Sequence, residues 1–458
     1  MAYSTSRIVI CGAGIAGISA AYQLAVVHGC DNVVLVEEGN PLALTSDKST
    51  ESYRNWWPGP DGAMTAFMDR SIDLIEDLAR STGNRFNLNR RGYVFASADP
   101  DKATWLHDMA KLAETHGEGP VRVHDSAPDS YQPSPERGFD FPLTGADILT
   151  DASLIQKHFP YLTPDTRVLA HVRRAGWLSA QQLGMVMLEA ARERGVRLLR
   201  GRVLGVDARD GRLCAVDVES AGKRGKLEAT HLVLAAGPML KDMAASLGVD
   251  LPIFVERHFK ISLPDSLGVV PRNAPMLIWL DKQHLPWTEE EREMLAADAS
   301  TRWLTEPFPG GVHGRPDGSG ASTTLLVLFN YENHKSDVVF PLPDPEHYAE
   351  IALRGMSTLV PALQVYVDKG VRPYVDGGYY VRTRENRPLI GATPIEGIFV
   401  SGAYSGFGIM AGCAGGELIA RHVVGADLPA YAPAFALARY DDPTYLAKLD
   451  TWGNDGQL

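Results

Sequence analysis

The chain has 458 residues, of which 45% are hydrophobic, and this is enough apolar content for a large core or for two domains. No basic block offsets its formal net charge of −12, so neither nucleic acid nor an anionic membrane is an expected partner. The four cysteines are scattered and the 13 histidines lack ligand spacing, so we expect a reducing compartment and no metal. Neither a signal peptide nor a bilayer-spanning run is recognisable, which predicts a cytoplasmic location.

A short apolar run, residues 7–11, leads directly into a G-x-G-x-x-G sequence and then into good helix formers. This order predicts a buried parallel strand and the strand–helix turn of a dinucleotide-binding fold. Gly12 makes the tight turn, Gly14 lets the backbone approach a pyrophosphate, and Gly17 allows the helix to pack closely on the strand. The predicted cofactor-binding residues of this turn are Gly12, Ala13, Gly14, Ile15, Ala16 and Gly17.

A second predicted strand, residues 32–36, ends in two carboxylates about 20 residues after the last glycine of the turn. A carboxylate at this place accepts hydrogen bonds from the ribose of an adenosine. Glu37 follows the strand directly and is the first choice, with Glu38 as the reserve. Because a negative charge repels a 2′-phosphate, NADP is not expected, whereas FAD and NAD both remain open.

Helix and strand patterns continue along the chain. Apolar residues recur at helical spacing over residues 62–82, and a capped helix is expected over residues 179–195. Short strands follow, ending with the apolar run 232–236. The stretch 251–371 is richer in aromatic residues, proline and isolated strand-like runs, which indicates a separate antiparallel part.

These patterns predict an α/β fold, a Rossmann-like nucleotide-binding domain with an inserted, largely antiparallel β substrate domain (α+β). We assign residues 1–60, 160–250 and 371–458 to the discontinuous nucleotide-binding domain. Residues 61–159 and 251–370 are assigned to the substrate domain and its insertions.

Four elements in this order resemble the D-amino-acid-oxidase superfamily of FAD-dependent oxidoreductases, particularly its glycine-oxidase and sarcosine-oxidase branch. Together they cover both ends and the middle of the chain, and the resemblance implies FAD as the cofactor. The four are the glycine turn with Glu37, K-S-T-x-S-Y-R at residues 48–54, V-L-A-A-G at residues 233–237, and N-R-P-L-I-G at residues 386–391 followed by S-G-F-G at residues 405–408.

The resemblance also implies where the rest of the cofactor lies. The loop at residues 405–408 opens onto a helix, whose free N–H groups and positive dipole end can stabilise negative charge that develops on the flavin. Val203 is expected to meet the adenine through its backbone, and Arg54 corresponds to a family arginine near the flavin. The cofactor-binding residues implied outside the first turn are Glu37, Glu38, Lys48, Ser49, Thr50, Arg54, Val203, Ala236, Gly237, Ser405, Gly406, Phe407, Gly408, Ile409 and Met410.

The chain departs from the family where a substrate carboxylate is anchored. At the positions that align with the branch's arginine or lysine it has Trp57, Tyr380 and Met410. Aromatic and thioether groups there predict a bulky substrate of low charge, such as an aromatic amine, rather than a small amino acid. We predict substrate contacts from Trp56, Trp57, Tyr404 and Met410; the alternative is that Trp56, Trp57 and Tyr404 are core residues.

Two further departures concern the flavin. Covalent members of the branch attach FAD through a cysteine shortly before the segment that begins at Thr383, and residues 376–380 read D-G-G-Y-Y here. Noncovalent FAD is therefore expected. The oxygen-activating lysine of sarcosine oxidases has no match in residues 323–328, so oxygen and another electron acceptor both remain open.

Candidates for acid–base catalysis are few. His258 and His313 lie in the predicted inserted domain, where a substrate would face the flavin, and histidine titrates near neutral pH. A structural or surface role is the alternative for each, and hydride transfer from a neutral amine requires neither. With Arg54 and Tyr380, these histidines are the predicted catalytic residues.

The sequence thus predicts an FAD-dependent oxidoreductase that oxidises a C–N bond of a small-molecule amine or N-alkyl compound by hydride transfer to flavin N5. Oxidation of an alcohol or a 2-hydroxy acid on the same scaffold is the first alternative. The second is a non-catalytic flavin-bound interaction protein. The identity of the substrate and the formation of a homo-oligomer remain open.

Overall fold

The computed structural model describes residues 7–125, 130–318, 320–332, 334–343, 345–450 and 452. Its strands are β1 Ile8–Cys11, β2 Val33–Glu37, β3 Ser52–Arg54, β4 Tyr93–Ser97, β5 Val121–His124, β6 Ala146–Leu149, β7 Val168–Val172, β8 Ala175–Trp177, β9 Arg197–Arg200, β10 Arg202–Arg209, β11 Arg212–Ser220, β12 Lys223–Glu228, β13 His231–Leu234, β14 Ile253–Pro264, β15 Met276–Trp279, β16 His313–Pro316, β17 Thr324–Leu328, β18 Tyr374–Thr383, β19 Leu389–Ala392 and β20 Ile398–Gly402. Its α-helices are α1 Ile15–Tyr22, α2 Ala63–Thr82, α3 Lys102–Thr115, α4 Ala152–His158, α5 Ala180–Glu193, α6 Leu240–Ser246, α7 Glu289–Ala297, α8 Tyr348–Leu359, α9 Gln364–Asp368, α10 Gly408–Val424 and α11 Pro443–Leu449.

A six-stranded sheet in the order β19-β20-β13-β1-β2-β9 carries the predicted nucleotide-binding turn. All neighbours in it pair in parallel except β19 and β20. Side chains of β1 alternate between its two faces: Ile8 and Ile10 pack with α1, α2, α5 and α10, whereas Val9 and Cys11 pack with β10, β11 and α6. Because both faces are covered, the strands are apolar almost throughout.

A nine-stranded sheet in the order β18-β14-β17-β16-β15-β4-β7-β6-β5 forms the second part of the molecule. Its pairs β4–β15 and β5–β6 are parallel, and its other pairs are antiparallel. Helix α8 packs on this sheet, and the two form a second hydrophobic core. The predicted α/β fold with a largely antiparallel second part is therefore confirmed.

Local predictions for the helices hold well. The predicted helix 62–82 is α2, and the predicted helix 179–195 is α5. The side chain of Ser179 caps α5 by accepting a hydrogen bond from the backbone N–H of Gln182.

Three segments lie in a different part of the molecule from the one that our sequence division gave them. Strands β7 and β18, which we had placed in the nucleotide-binding domain, belong to the nine-stranded sheet. Helix α2, which we had placed in the substrate domain, packs against α10 in the core of the six-stranded sheet. Periodicity identifies a strand or the apolar face of a helix, but it does not identify the sheet or helix against which that element packs. The rest of the division stays a prediction.

Candidate active site

A first cavity lies at the carboxyl ends of β1 and β2, and we call it the adenosine-side cavity. Glu37, Glu38 and Val203 line it, as the sequence predicted for an adenosine site. The carboxylate of Glu37 is held at the wall by the backbone N–H groups of Ala13, at 2.8 Å, and Gly39, at 2.7 Å. Lining residues that the sequence analysis did not single out include Asn40, Leu44, Arg202, Met239 and Met243.

The glycine turn is built as the spacing requires. Gly12 has a φ of 101°, and a Cβ there would collide with the carbonyl oxygen of Ala235. A Cβ on Gly17 would collide with the carbonyl oxygen of Gly12, so only glycine lets α1 lie this close to the turn. Gly14 borders the adenosine-side cavity at the N-terminus of α1, whose first turn contains no acidic side chain. This is the environment that a pyrophosphate needs.

A second, flavin-side cavity continues from the first. The predicted loop 405–408 forms one wall, and α10 begins there at Gly408. Two non-glycine residues of this wall, Ala403 and Ser405, have φ values of 55° and 50°, which is a strained conformation typical of functional sites. The two cavities share the lining residues Gly14, Thr45, Ser46, Ala235 and Gly237.

The two joined cavities fit FAD. Their shared lining includes Gly14 of the glycine turn, where a pyrophosphate would lie. One end carries the carboxylate of Glu37, which a ribose would contact, and the other end faces the N-terminus of α10. None of the described residues that line the flavin-side cavity is a cysteine, which agrees with noncovalent binding. Further residues of the predicted set line this cavity: Ile15, Ala16, Ser49, Gly237, Ser405, Gly406, Gly408 and Ile409.

A third cavity, which we call the chamber, has a volume of about 340 Å³ and shares Tyr380 and Gly406 with the flavin-side cavity. The ring of Tyr380 lies against Gly406, where a Cβ would come within 2.7 Å of it. Polar and apolar side chains contribute about equally to the lining of the chamber. Its polar side chains include Arg54, Tyr93, His313 and Asn330, and its apolar ones are Met276, Ile278, Leu280, Leu328, Phe407 and Met410.

Arg54 places a positive charge on the wall of the chamber. It ends strand β3 and is buried, with its guanidinium 4.7 Å from the ring centre of Trp57. Burial lowers the pKa of Arg54, while the hydrogen-bonded Tyr93 opposes this effect, and an arginine remains protonated in either case. The alignment of Trp57, Tyr380 and Met410 did not consider a cation from β3, and the absence of a cationic substrate anchor stays a prediction.

Of the two predicted histidines, one lines the chamber and the other does not. His313 lines the chamber, and its Nδ1 lies 2.9 Å from the carbonyl oxygen of Gly311. Nδ1 must donate to that carbonyl, so Nε2 is an acceptor, and burial lowers the pKa of His313 to about 4. His258 does not line the chamber: its ring stacks on Tyr380 at 3.9 Å, and its Nδ1 contacts Asn330 Oδ1 at 2.8 Å.

Three predicted substrate-binding residues do not line the chamber. Trp56 packs on Phe95, and Trp57 packs edge-on against Phe407 beneath Arg54. Tyr404 lines the flavin-side cavity, and its hydroxyl lies 2.9 Å from that of Ser401. This placement corresponds to the core alternative for Trp56 and Trp57, whereas Tyr404 faces the flavin-side cavity. Of the four, only Met410 lines the chamber.

Two lysines hold the loop that carries Ser49 and Thr50. Lys48 forms an ion pair with Asp376 at 2.9 Å. The buried Lys260, which sequence analysis missed, donates to the carbonyl oxygens of Asp47 at 2.7 Å and Ser49 at 3.2 Å. The available signal was a lysine between two apolar residues of β14, Phe259 and Ile261. Since Ser49 lines the flavin-side cavity and Thr50 the chamber, Lys260 supports the junction between them.

Glu118 is a buried carboxyl group behind the Arg54–Trp57 pair. Its Oε1 accepts hydrogen bonds from the backbone N–H of Trp57, at 2.6 Å, and from Thr65 Oγ1, at 2.9 Å. Burial raises the pKa of Glu118 to about 7, and Asp69 adds to this, whereas both hydrogen bonds and Arg54 oppose it. Glu118 therefore titrates near neutral pH while it holds the backbone of Trp57.

Glu118→Gln is expected to remove a pH dependence of stability. Because the folded protein binds this proton more tightly than the unfolded chain, the free energy of unfolding of the wild type falls as the pH rises from about 4.5 to 7. Between about pH 5 and about pH 8, the free energy of unfolding of the wild type should fall by about 2 kcal/mol more than that of the variant. Urea unfolding across this range measures it. Glu396→Gln is the control, because Glu396 is exposed, and its unfolding free energy should depend on pH as that of the wild type does. If the unfolding free energies of the wild type and Glu118→Gln changed in parallel with pH, the raised pKa of Glu118 would be contradicted.

No helix among the residues that the structure describes is both long and apolar enough to cross a membrane. Within those ranges, no three side chains of the metal-ligating types converge on one point.

The fold and joined cavities define an FAD-dependent oxidoreductase. Residues 7–422 match the model of the FAD-dependent oxidoreductase family DAO, and the chain belongs to this family. The β subunit of sarcosine oxidase from Rhodobacter capsulatus is 22% identical over 426 residues, which are 90% of this chain and 84% of that one. L-proline dehydrogenase from P. horikoshii has a TM-score of 0.72 at 17% identity, covering 95% of this chain and 98% of its own. Glycine oxidase from Geobacillus kaustophilus has a TM-score of 0.69 at 17% identity, covering 94% and 99%.

Family membership confirms the predicted class, an enzyme with FAD as its cofactor. The non-catalytic alternative is thereby set aside.

Proposed function

We propose that this oxidoreductase oxidises the C–N bond of an amine that carries a carboxylate and a bulky apolar or aromatic substituent, such as an N-substituted amino acid. The observation that carries the proposal is the chamber of about 340 Å³, which combines Arg54 with six apolar side chains next to the flavin-side cavity. A volume of this size accommodates more than glycine or sarcosine.

FAD, when bound, supplies the acceptor for a hydride from the carbon next to the amine nitrogen. The chain's own residues prepare the substrate for this step. Arg54 binds the carboxylate through charge-assisted hydrogen bonds, and the apolar side chains of the chamber pack against the substituent. His313 Nε2 accepts a hydrogen bond from the amine N–H and orients the nitrogen. The imine product then hydrolyses in water.

The protonation state of His313 favours an amine over an alcohol. With its pKa lowered to about 4, His313 is neutral and weakly basic at physiological pH. Hydride transfer from an alcohol requires a base to take the hydroxyl proton, whereas a neutral amine requires none. The names of the sarcosine oxidase, proline dehydrogenase and glycine oxidase relatives agree with this preference, since all three compounds are amino acids.

Anaerobic reduction of the bound flavin tests the proposal. The panel is N-benzylglycine, sarcosine, N-methylbenzylamine, which lacks the carboxylate, and 3-phenyllactate, which replaces the amine by a hydroxyl. We expect N-benzylglycine to reduce the flavin most efficiently, with kcat/KM about tenfold or more above that of sarcosine because its ring is buried. Reduction by 3-phenyllactate and by none of the amines would favour the alcohol or 2-hydroxy acid alternative.

A further inference from the structure

Tyr380 lies at the junction between the flavin-side cavity and the chamber, and it lines both. Its side chain is buried, and its ring lies against the backbone of Gly406, just before α10 begins. A molecule in the chamber and a molecule in the flavin-side cavity therefore adjoin the same aromatic ring.

Strand register brings His258 to this ring. Across the antiparallel strands β14 and β18, Tyr380 pairs with Glu256 and Gly378 pairs with His258. Residues two apart in a strand share a face, so His258 and Tyr380 are diagonal neighbours on one face of the sheet. Because Gly378 has no side chain, the imidazole can lie over the phenol ring, with the ring centres 3.9 Å apart and the planes at 19°.

The imidazole of His258 is itself held by its neighbours. Its Nε2 lies 3.4 Å from Glu256 Oε2, and the same oxygen accepts a hydrogen bond of 2.7 Å from Arg382 Nη1. Its Nδ1 lies 2.8 Å from Asn330 Oδ1. Burial alone would raise the pKa of Glu256, but hydrogen bonds from His258 and Arg382 bring it below its usual value, so this carboxylate is ionised. The imidazole is thus fixed at both ring nitrogens while its face contacts Tyr380.

We propose that His258 is a positioning residue, whose imidazole holds the ring of Tyr380 in one orientation and thereby fixes how a substrate in the chamber is aligned with the flavin. The inference rests on the proposed function, because it takes the chamber as the substrate site. His258, Glu256 and Arg382 line neither the chamber nor the flavin-side cavity, so they act through Tyr380 and not on the reacting atoms. Hydride transfer depends steeply on the alignment of donor and acceptor, so a tilted Tyr380 ring slows the transfer more than it weakens substrate binding.

Two substitutions separate the ring of His258 from its hydrogen bonds and its titration. His258→Gln keeps hydrogen-bonding groups but has no ring to stack on Tyr380, whereas His258→Phe keeps a flat ring that neither titrates nor forms hydrogen bonds. Anaerobic stopped-flow reduction of the holoenzyme by N-benzylglycine gives the rate constant of flavin reduction and the Kd of the substrate. We expect His258→Gln to lower the rate constant about tenfold or more with little change in the Kd, and His258→Phe to keep it close to that of the wild type. His284→Gln is the matched control, because His284 is exposed and lines neither cavity.

Visible circular dichroism of the oxidised holoenzyme gives a second readout that requires no substrate. Because Tyr380 borders the flavin-side cavity, His258→Gln should change the flavin bands, and His258→Phe should retain the wild-type spectrum. The inference is overturned if both variants reduce the flavin as fast as the wild type, if both lose the rate equally, as for an acid or base, or if His258→Gln raises only the Kd. If N-benzylglycine does not reduce the wild-type flavin, the proposed function fails, and the circular dichroism of the variants then decides whether His258 positions Tyr380.

Discussion

Arg54→Met is expected to raise the KM for carboxylate-bearing amines about 100-fold, because the substrate loses charge-assisted hydrogen bonds worth about 3 kcal/mol. The guanidinium is buried at the chamber wall, where little water can replace it. Steady-state kinetics with N-benzylglycine measures the loss. N-methylbenzylamine, which lacks a carboxylate, should show an unchanged KM and serves as the control within the same variant.

Two further variants separate charge from structure. Arg54→Lys retains a cation but not the planar fork of donors, so it should recover only part of the affinity. Arg85→Met removes an exposed arginine that pairs with Glu189 and should leave the kinetics unchanged. An equal loss for both amines in Arg54→Met, or a loss of bound FAD, would show that Arg54 supports the cofactor rather than the carboxylate.

Gly17→Ala is expected to abolish stable FAD binding. The added Cβ would overlap the carbonyl oxygen of Gly12, which is backbone and cannot move without displacing the turn from α1. We expect the variant to be destabilised by about 3 kcal/mol, as for an overpacked core, and to purify without FAD. The ratio of flavin to protein absorbance and the thermal midpoint measure both effects.

The control for this substitution is Gly225→Ala. Gly225 lies on the exposed strand β12, where a Cβ would meet nothing within 4 Å, so the change in stability should be within about 0.5 kcal/mol. If Gly17→Ala retained FAD as well as Gly225→Ala does, the close packing of α1 on the turn would not be what the cofactor site requires.

The cofactor site was predictable because it depends on local backbone geometry. Gly12 and Gly17 lie five residues apart in one turn, and the collision that Gly17 avoids is with the carbonyl oxygen of Gly12 itself. Glu37 ends the strand next to that turn, so its place followed from the parallel pairing of β1 and β2. No long-range information was needed for either inference.

The chamber was less predictable, because its side chains come from distant strands. Arg54 belongs to β3, Tyr93 to β4 and His313 to β16, and no motif links them. The sequence analysis could not distinguish His258 from His313, since both lie on strands of the same sheet. Their positions differ because β14, which carries His258, pairs with β17 and β18, whereas β16, which carries His313, pairs with β15 and β17.

The sequence alone predicted the turn that holds a dinucleotide, because glycine spacing and strand ends act over a few residues. The family and FAD followed from the resemblance of four separate elements to the superfamily. Only the tertiary structure decided that Trp56 and Trp57 are core residues and that Arg54 faces the chamber. Periodicity indicates that a side chain is buried, but not what it is buried against. That choice depends on how the two sheets pack, through contacts between residues far apart in the chain.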